Sequence, residues 1–470
     1  DPQTGHYNLD LPVELADVER VELLQGSAAR MYGPNAFSGA INIVTEKKAE
    51  NSLSAQLGAG SYDTYLQNVS GTIGHGKIHS FNSFSNKTSA GYIPNTDYHL
   101  LNAFSHTTLT TRKAGKFDVQ LGYQQKSYGA NAFYSFKYPS QYDHTKTFFG
   151  AVNWQYSKGI SSFASQAYFR KHYDRFELYR DSISTKPSWY VGHNYHITDV
   201  SGAKFSSVFR FPFAITTLGI EVRNEHIYSN QLGLLMATSV VNPFDSRQNF
   251  TKEDNRLFKN AFVDVSKAVG DFYFSAGASF SDSKQFGTIW FGGANILYQL
   301  NSDFKVYTSV NNAVNLPTFT DLYLTNSLQK GNVNLLPGKS TTAELGAKFD
   351  KKQLKITGVA YYRLGENVID WVKYPANSYW QSINHNKLNA LGLDLSASYG
   401  FKNCFLKQIS VAYSHIKMDN EALTFDSKYA FDYLRNKMVM SVNHAIIKKI
   451  SALWSASYND RAGNYVLVDN

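Results

Sequence analysis

Three aromatic and amide-rich stretches hold the side chains best suited to gripping a ligand. They are Tyr128, Asn131, Phe133 and Tyr134; Trp189, Tyr190, His193 and Tyr195; and Tyr379, Trp380 and Gln381. Flat rings beside amides suit a bulky, partly apolar ligand that carries amide groups of its own. The plainer reading of any one ring is loop packing or a place in an interfacial aromatic belt. His172, His193 and His196 raise haem or metal ligation, although scattered histidines in a loop are more often simply solvated. Asp174, Glu177 and Asp181 form the dense acidic set that a calcium ion in a loop would use, and no other metal or cofactor is expected. The single cysteine, Cys404, excludes an intrachain disulfide framework and any multi-cysteine metal site. No nucleophile–base constellation or enclosed carboxylate pair can be assembled, so an enzyme is not expected.

Something must position those stretches, and the chain's period says what. From Asn51 onward apolar and polar residues alternate. Phe117, Val119, Leu121 and Tyr123 oppose Asp118, Gln120, Gly122 and Gln124. The run 271–281 places Phe272, Phe274, Ala276, Ala278 and Phe280 against Tyr273, Ser275, Gly277, Ser279 and Ser281. Leu391, Leu393, Leu395, Ala397, Tyr399 and Phe401 repeat the pattern. Strict alternation means strands with one apolar and one polar face. These stretches run for roughly ten to fourteen residues, longer than the ~5–6 of globular sheets and suited to a tilted membrane-spanning strand.

Composition agrees. Aromatics make up 15% of the 470 residues, with 32 Tyr and 32 Phe, while charged residues are only 18%. Mean hydropathy is −0.34, and no run of about eighteen apolar residues exists to form a transmembrane helix. In a membrane β-barrel only alternate residues face lipid, which yields this balance. The net charge of +9 resides in scattered turn lysines such as Lys113, Lys116, Lys351 and Lys448, so nucleic acid is not expected as a partner. Short turns fall near 74–77, 113–116, 157–159, 210–214, 269–271, 301–303, 350–352, 401–403 and 447–449. Longer irregular connections fall near 127–146, 172–194, 229–255, 313–341, 366–385 and 417–429. Short and long mostly alternate, which is the turn-and-loop asymmetry of outer-membrane barrels. About nineteen strands are counted, and an antiparallel single-chain barrel needs an even number. Set against a barrel of about 22 strands, roughly three strands are expected to be absent at the C-terminus, so this stretch should not close its own barrel.

A lumen of that size must be constricted or filled. The segment 18–48 supplies a filler. Val18-Glu19-Arg20-Val21-Glu22-Leu23, Gly26-Ser27-Ala28, Met31-Tyr32-Gly33, Asn35-Ala36 and Gly39-Ala40-Ile41-Asn42-Ile43-Val44-Thr45 together resemble the C-terminal end of the plug domain of TonB-dependent outer-membrane receptors. Gln25-Gly26-Ser27 stands where the family often has Arg-Gly-Pro, which puts one plug-to-wall ion pair in doubt. The spacing reads as two strands, with Gly26 and Gly33 allowing turns and Gly39 a close backbone approach. Glu19, Arg20 and Glu22 are expected to seat the plug through ion pairs to the wall. Asn315 to Tyr323, Gly331 to Ser340 and Ala343 to Gly346 are similar to the family's loop-and-strand motif late in the barrel. The resemblance implies an all-β chain: the C-terminal part of a plug over 1–48, and an incomplete transmembrane antiparallel barrel over 51–470, integral to the bacterial outer membrane.

The same resemblance implies active import of a large, scarce ligand. Ligand-facing residues would lie on the outer loops named above and on the plug apex at Met31, Tyr32 and Asn35. The opening DPQTGHYN reads as the middle of a protein, and the TonB box would lie upstream. Partners implied are the TonB–ExbB–ExbD energising complex, the lipid bilayer with its lipopolysaccharide, and a surface lipoprotein acting as a lid. The runs 358–370 and 384–394 look most like the cobalamin-transporter branch, including its Bacteroidetes members. Ferric siderophore and haem receptors of the same family are the alternatives. A passive porin or adhesin-like barrel is the rival of a different class, and it leaves the 18–48 motif unexplained.

Overall fold

The computed structural model describes residues 1–25, 30, 33–37, 39–45, 50–133, 137–181, 186–190, 192–246, 248–402, 404–419 and 424–462. Gly26, Met31, Tyr32 and Tyr134 lie outside these described residues. Two strands, β1 (Val18–Gln25) and β2 (Gly39–Thr45), pair antiparallel as an isolated hairpin. The other strands form one curled sheet around it. Of twenty-five strands among the described residues, two belong to the hairpin and four are short outer pieces, namely Leu234–Val240, Gln329–Lys330, Trp380–Lys387 and Asp426–Ser427. Nineteen wall strands remain, from Ser52–Gly60 to Ile450–Arg461, as the alternation implies. Several are longer than a bilayer requires: Phe250–Val269 and Leu354–Lys373 each have 20 residues and project beyond the hydrocarbon band.

The two faces of the wall carry the inverted polarity of a membrane barrel. Leu121 is 58% exposed on the outer surface, while its neighbour on the opposite face, Asp118, is 5% exposed. On Phe272–Ser283 the serines Ser275, Ser279, Ser281 and Ser283 are buried inward, whereas Phe272 and Phe274 are exposed. Leu391, Leu395 and Tyr399 likewise point outward. Apolar rows turned to lipid keep their transfer free energy, and the serines and carboxylates line a polar lumen.

The strand order returns on itself, with Ile450–Arg461 beside Ser52–Gly60, so the expectation that these strands leave the ring open does not hold in that form. The junction is nonetheless unlike the rest. The two are hydrogen-bonded neighbours, but with nineteen antiparallel strands the first and last run in the same direction, so they meet as a parallel pair and do not continue the antiparallel ladder seen in Ser52↔Thr72 and Leu434↔Arg461. Both are exposed along nearly their whole length.

Tight turns occupy 76–77, 112–114, 159–160, 211–214, 270–271, 300–303, 352–353 and 448–449 at one rim. Gly76, Gly115, Gly159 and Gly270 have positive φ there. Aromatic rings collect at the same rim. Trp154 stacks on Tyr156 with centroids 6.1 Å apart, Phe209, Phe211 and Phe213 stack in series, and Phe272 lies 4.5 Å from Tyr298. Such rings sit at the headgroup level of a bilayer. The long connections lie at the opposite rim. The stretch 366–385, expected to be irregular, instead prolongs Leu354–Lys373 and adds Trp380–Lys387, paired as Val368↔His385.

Candidate functional site

The hairpin and the residues before it form a plug inside the sheet, seated by two chemically different flanks. The first flank is residues 7–17. The ring of Tyr7 lies 4.6 Å from that of His172. Asp10 pairs with Lys126, and Gln124 Nε2 donates to the Leu11 carbonyl at 3.0 Å. Gly122 has no side chain because Pro12 lies against it: a Cβ there would stand 2.5 Å from Pro12 Cγ. Glu14 accepts from Ser85 Oγ at 2.6 Å, Lys87 Nζ at 2.5 Å and Asn102 Nδ2. Asp17 accepts from Ser83 Oγ. Burial pushes the Glu14 carboxyl up, but the hydrogen bonds from Lys87 and Ser85 outweigh it and hold the group below its ordinary value.

The second flank is Arg30 and residues 33–37. Arg30 is buried and its guanidinium is fully engaged: Nε on Asp264 at 3.0 Å, Nη1 to the Gly293 carbonyl at 2.9 Å, Nη2 to Ser275 Oγ at 3.0 Å. Ser279 Oγ donates to the Arg30 carbonyl. Asn35, with φ of +77°, donates its backbone N–H to the Val314 carbonyl at 2.8 Å and accepts from the Leu316 N–H at 2.8 Å. Ala36 enters an apolar cluster with Phe258, Ile289, Phe291, Ala313, Val314 and Leu316, against which Phe37 packs. Gly33 has φ of +81° and Gly39 of +141°, backbone conformations that favour glycine, as the motif requires.

The late motif explains part of this seat. After strand Phe304–Asn315 the chain turns into a five-residue helix, α1 (Phe319–Tyr323), capped by Thr318 and Asp321. Phe319 N–H donates to the Pro2 carbonyl at 2.8 Å and Thr320 N–H to the Gln3 carbonyl at 3.0 Å. Arg256 lies 4.1 Å over the Phe319 ring and bridges Glu225 and the Pro317 carbonyl. One wall segment therefore meets both ends of the plug.

The charges expected to seat the plug do not reach the wall. Arg20 pairs with Glu19 and Glu22, all three are well exposed, and Glu22 also accepts from Asn42 Nδ2 at 2.7 Å. Residues two apart on a strand share a face, so Arg20 and Glu22 satisfy one another. Asp10, Glu14, Asp17 and Arg30 do the seating instead. Their partners, from Ser83 to Asp264, were legible only as inward positions of the alternation.

At the outer mouth the ligand candidates gather into two groups. In the first, Asn131 Nδ2 donates to the Pro94 carbonyl at 2.8 Å, and the Phe133 ring stands 6.3 Å from His6 of the plug. Trp189, 57% exposed, packs edge-on against Tyr179 and Tyr190. Tyr195, by contrast, is 1% exposed and locked among Ile197, Phe250 and Phe244, and Tyr128 at the end of its strand bonds Asp143. In the second group Lys330 Nζ lies 3.9 Å over Tyr379, and Trp380–Gln381 pairs in parallel with Gln329–Lys330.

Of the acidic set, Asp174 turns to the plug, accepting from Gln3 Nε2 at 2.6 Å. Glu177, Asp181 and His193 come together, with Arg175 on both carboxylates and Lys186 on Asp181 at 3.0 Å. Tyr190 hydroxyl and His193 Nδ1 are 2.6 Å apart, and His193 Nε2 stands 2.9 Å from Asp181. Burial raises the Asp181 carboxyl, yet Lys186 and His193 hold it far below its usual range. Arg175 and Lys186 neutralise these carboxylates, and the contacts tie Asp181, Lys186, Tyr190 and His193 to the end of strand Ser161–Glu177. Arg180 adds a bidentate grip on Asp97 at 2.6 and 2.8 Å.

Residues 54–469 match the family described as "TonB dependent receptor-like, beta-barrel". The chain is 24% identical over 487 residues to a protein named Vitamin B12 transporter BtuB from Photobacterium profundum, covering 97% of this chain and 73% of that one. It is 25% identical over 406 residues to its namesake from Vibrio vulnificus, covering 81% and 60%. Among solved structures, the siderophore receptor PirA from Pseudomonas aeruginosa superposes with a TM-score of 0.71 at 14% identity, covering 94% of this chain and 78% of that one. The FrpB iron transporter from Neisseria meningitidis gives 0.73 at 12%, covering 95% and 76%. The copper transporter OprC gives 0.73 at 13%, covering 94% and 73%. At these identities the structural likeness concerns the fold alone.

Proposed function

Because the chain belongs to the TonB-dependent outer-membrane receptor family, we propose that it actively imports a corrinoid such as cobalamin across the bacterial outer membrane. The observation that carries the reading is the plug: a folded hairpin clamped inside a polar-lined sheet at both flanks, which a passive porin has no use for. The choice of cargo is supported by the two relatives named as vitamin B12 transporters. An outer mouth furnished with rings and amides, Phe133 two residues from Asn131, Trp189 against Tyr179 and Tyr190, and Tyr379–Trp380 next to Gln381, suits a large amide-bearing ligand. Energy would come from the TonB–ExbB–ExbD complex acting on the plug. The apolar outer strand Leu234–Val240, with Leu234 and Leu235 exposed, supports a surface lipoprotein partner, which co-purification from native membranes would reveal.

The deciding experiment titrates cyanocobalamin, ferric catecholates and haem against the purified full-length receptor. Cobalamin should quench tryptophan fluorescence saturably and raise the melting temperature. If cobalamin leaves both unchanged at micromolar levels while a ferric catecholate shifts them, the corrinoid assignment is wrong and the siderophore alternative takes its place.

A further inference from the structure

We infer that the passage for cargo opens between plug residues 7–17 and the wall sector from Ile78–Ser89 to Ser161–Glu177, while the Arg30–Phe37 flank stays seated. The inference rests on the importer reading and adds to it the side of the plug along which material moves.

Three observations converge on that sector. First, its plug-to-wall bonds run almost wholly through polar side chains: Glu14 to Ser85, Lys87 and Asn102, Asp10 to Lys126, Asp17 to Ser83. Water can replace each of them with a bond of similar quality. Second, the sector holds buried polar atoms with no hydrogen bond among the described residues, Asp10 Oδ2, Gln124 Oε1, Arg170 Nη2, His172 Nε2 and Asp174 Oδ1, while fewer of them, Asn260 Oδ1, Asp264 Oδ2 and Asn311 Oδ1, lie around Arg30. Such atoms gain from hydration, so the first sector has more to gain from entering solvent. Third, main-chain bonding of the plug to the wall begins only N-terminal to residues 7–17, at the Pro2 and Gln3 carbonyls held by α1.

The opposite flank has the reverse character. Ala36 and Phe37 sit in apolar contact with Phe258, Ile289, Phe291 and Leu316, and water offers those side chains nothing in return. Asn35 is bonded to main-chain atoms of Val314 and Leu316, which the barrel ladder holds rigid. Arg30 is held at once by Asp264, the Gly293 carbonyl and Ser275, whereas the Asp10–Lys126 pair, buried to a similar degree, is a single contact. A pull on the plug therefore parts the first flank before the second.

Two measurements test this. Hydrogen exchange on the full-length receptor needs no cargo: amides of residues 7–17 should exchange about tenfold or more faster than those of 33–37 and of β2. Equal rates, or the reverse order, overturn the inference. In cells, Asp17→Cys with Ser83→Cys bridges the polar flank, and Ala36→Cys with Ala313→Cys bridges the apolar one, each closed by a short bis-thiosulfonate reagent, whose two disulfides form with release of sulfinate and are cleaved by a reductant. Cyanocobalamin uptake should be lost with the first bridge, regained on reduction, and kept with the second. Loss with both bridges, with neither, or with the second alone overturns it. If the unbridged receptor takes up no cobalamin, the cargo assignment fails, and the exchange order still judges the sector.

Discussion

The two flanks of the plug solve one problem, holding a stopper in a tube, with opposite chemistry. Residues 7–17 hold on with carboxylates against hydroxyl, amide and ammonium groups of three wall strands, whereas Arg30 and residues 33–37 hold on with one ion pair, main-chain bonds and an apolar patch. The difference teaches that grip and releasability are separate quantities. A charged hydrogen bond in a wettable seam contributes about 1 kcal/mol net, because water competes for both partners. Apolar contact contributes roughly 25 cal/mol per Å² and has no aqueous substitute. Strength concentrated on one side leaves the other able to open without unfolding the sheet.

The sharpest way to break the comparison is at Arg30. Arg30→Ala leaves Asp264 buried without its cation and should loosen the plug by about 3–5 kcal/mol, read as a lower urea concentration at which β1 and β2 lose exchange protection. Next comes Leu316→Ala, which hollows the apolar patch beside Ala36 and should cost about 3 kcal/mol in the same assay. Glu14→Gln on the polar flank keeps the side-chain volume and removes the charge facing Lys87. A cost of about 1 kcal/mol is expected there, since Lys87 is a third exposed. A Glu14 effect as large as that of Arg30 would erase the distinction between flanks. The smallest effect concerns pH at the outer mouth. The hydrogen bond from Arg180 holds the Asp97 carboxyl below its ordinary value, and Asp181 is depressed as well. Their contribution is therefore fully present above the usual carboxylate range and is lost as pH falls through the lowered values. Proteolytic nicking between 178 and 193 should rise modestly below about pH 4.

How much of this was legible in the sequence follows from which interactions are local. Alternation at Phe117–Gln124 told strand, face and inversion together, because side-chain direction in a strand depends only on parity. The turn glycines marked one rim by the same local logic. The plug's partners were not legible: Asp17 and Ser83 are 66 residues apart, and Arg30 and Ser275 are 245 apart, joined only once the sheet curls. Glu19, Arg20 and Glu22 misled for a related reason, since a cluster of charge announces that it will pair but not with what. At the mouth, Trp189 and Tyr195 looked alike as aromatic candidates, yet one is exposed and the other enclosed by Phe250. That difference is set by the 230–249 connection folding back, where Gly233 passes so near Glu253 that a Cβ would lie 2.6 Å from its carbonyl.

The aromatic rim has a mechanical meaning. Any inward tug on the stopper is transmitted through Arg30 and Asn35 to the cylinder, which must be braced by the surrounding lipid. Stacked rings such as Phe209, Phe211 and Phe213, and Trp154 with Tyr156, lie at the tight-turn rim, which on the import proposed above is the side toward which that tug is directed. They serve as a flange: dragging them out of the headgroup layer costs free energy for every ring displaced, so the thrust is spent on the stopper and the cylinder keeps its depth.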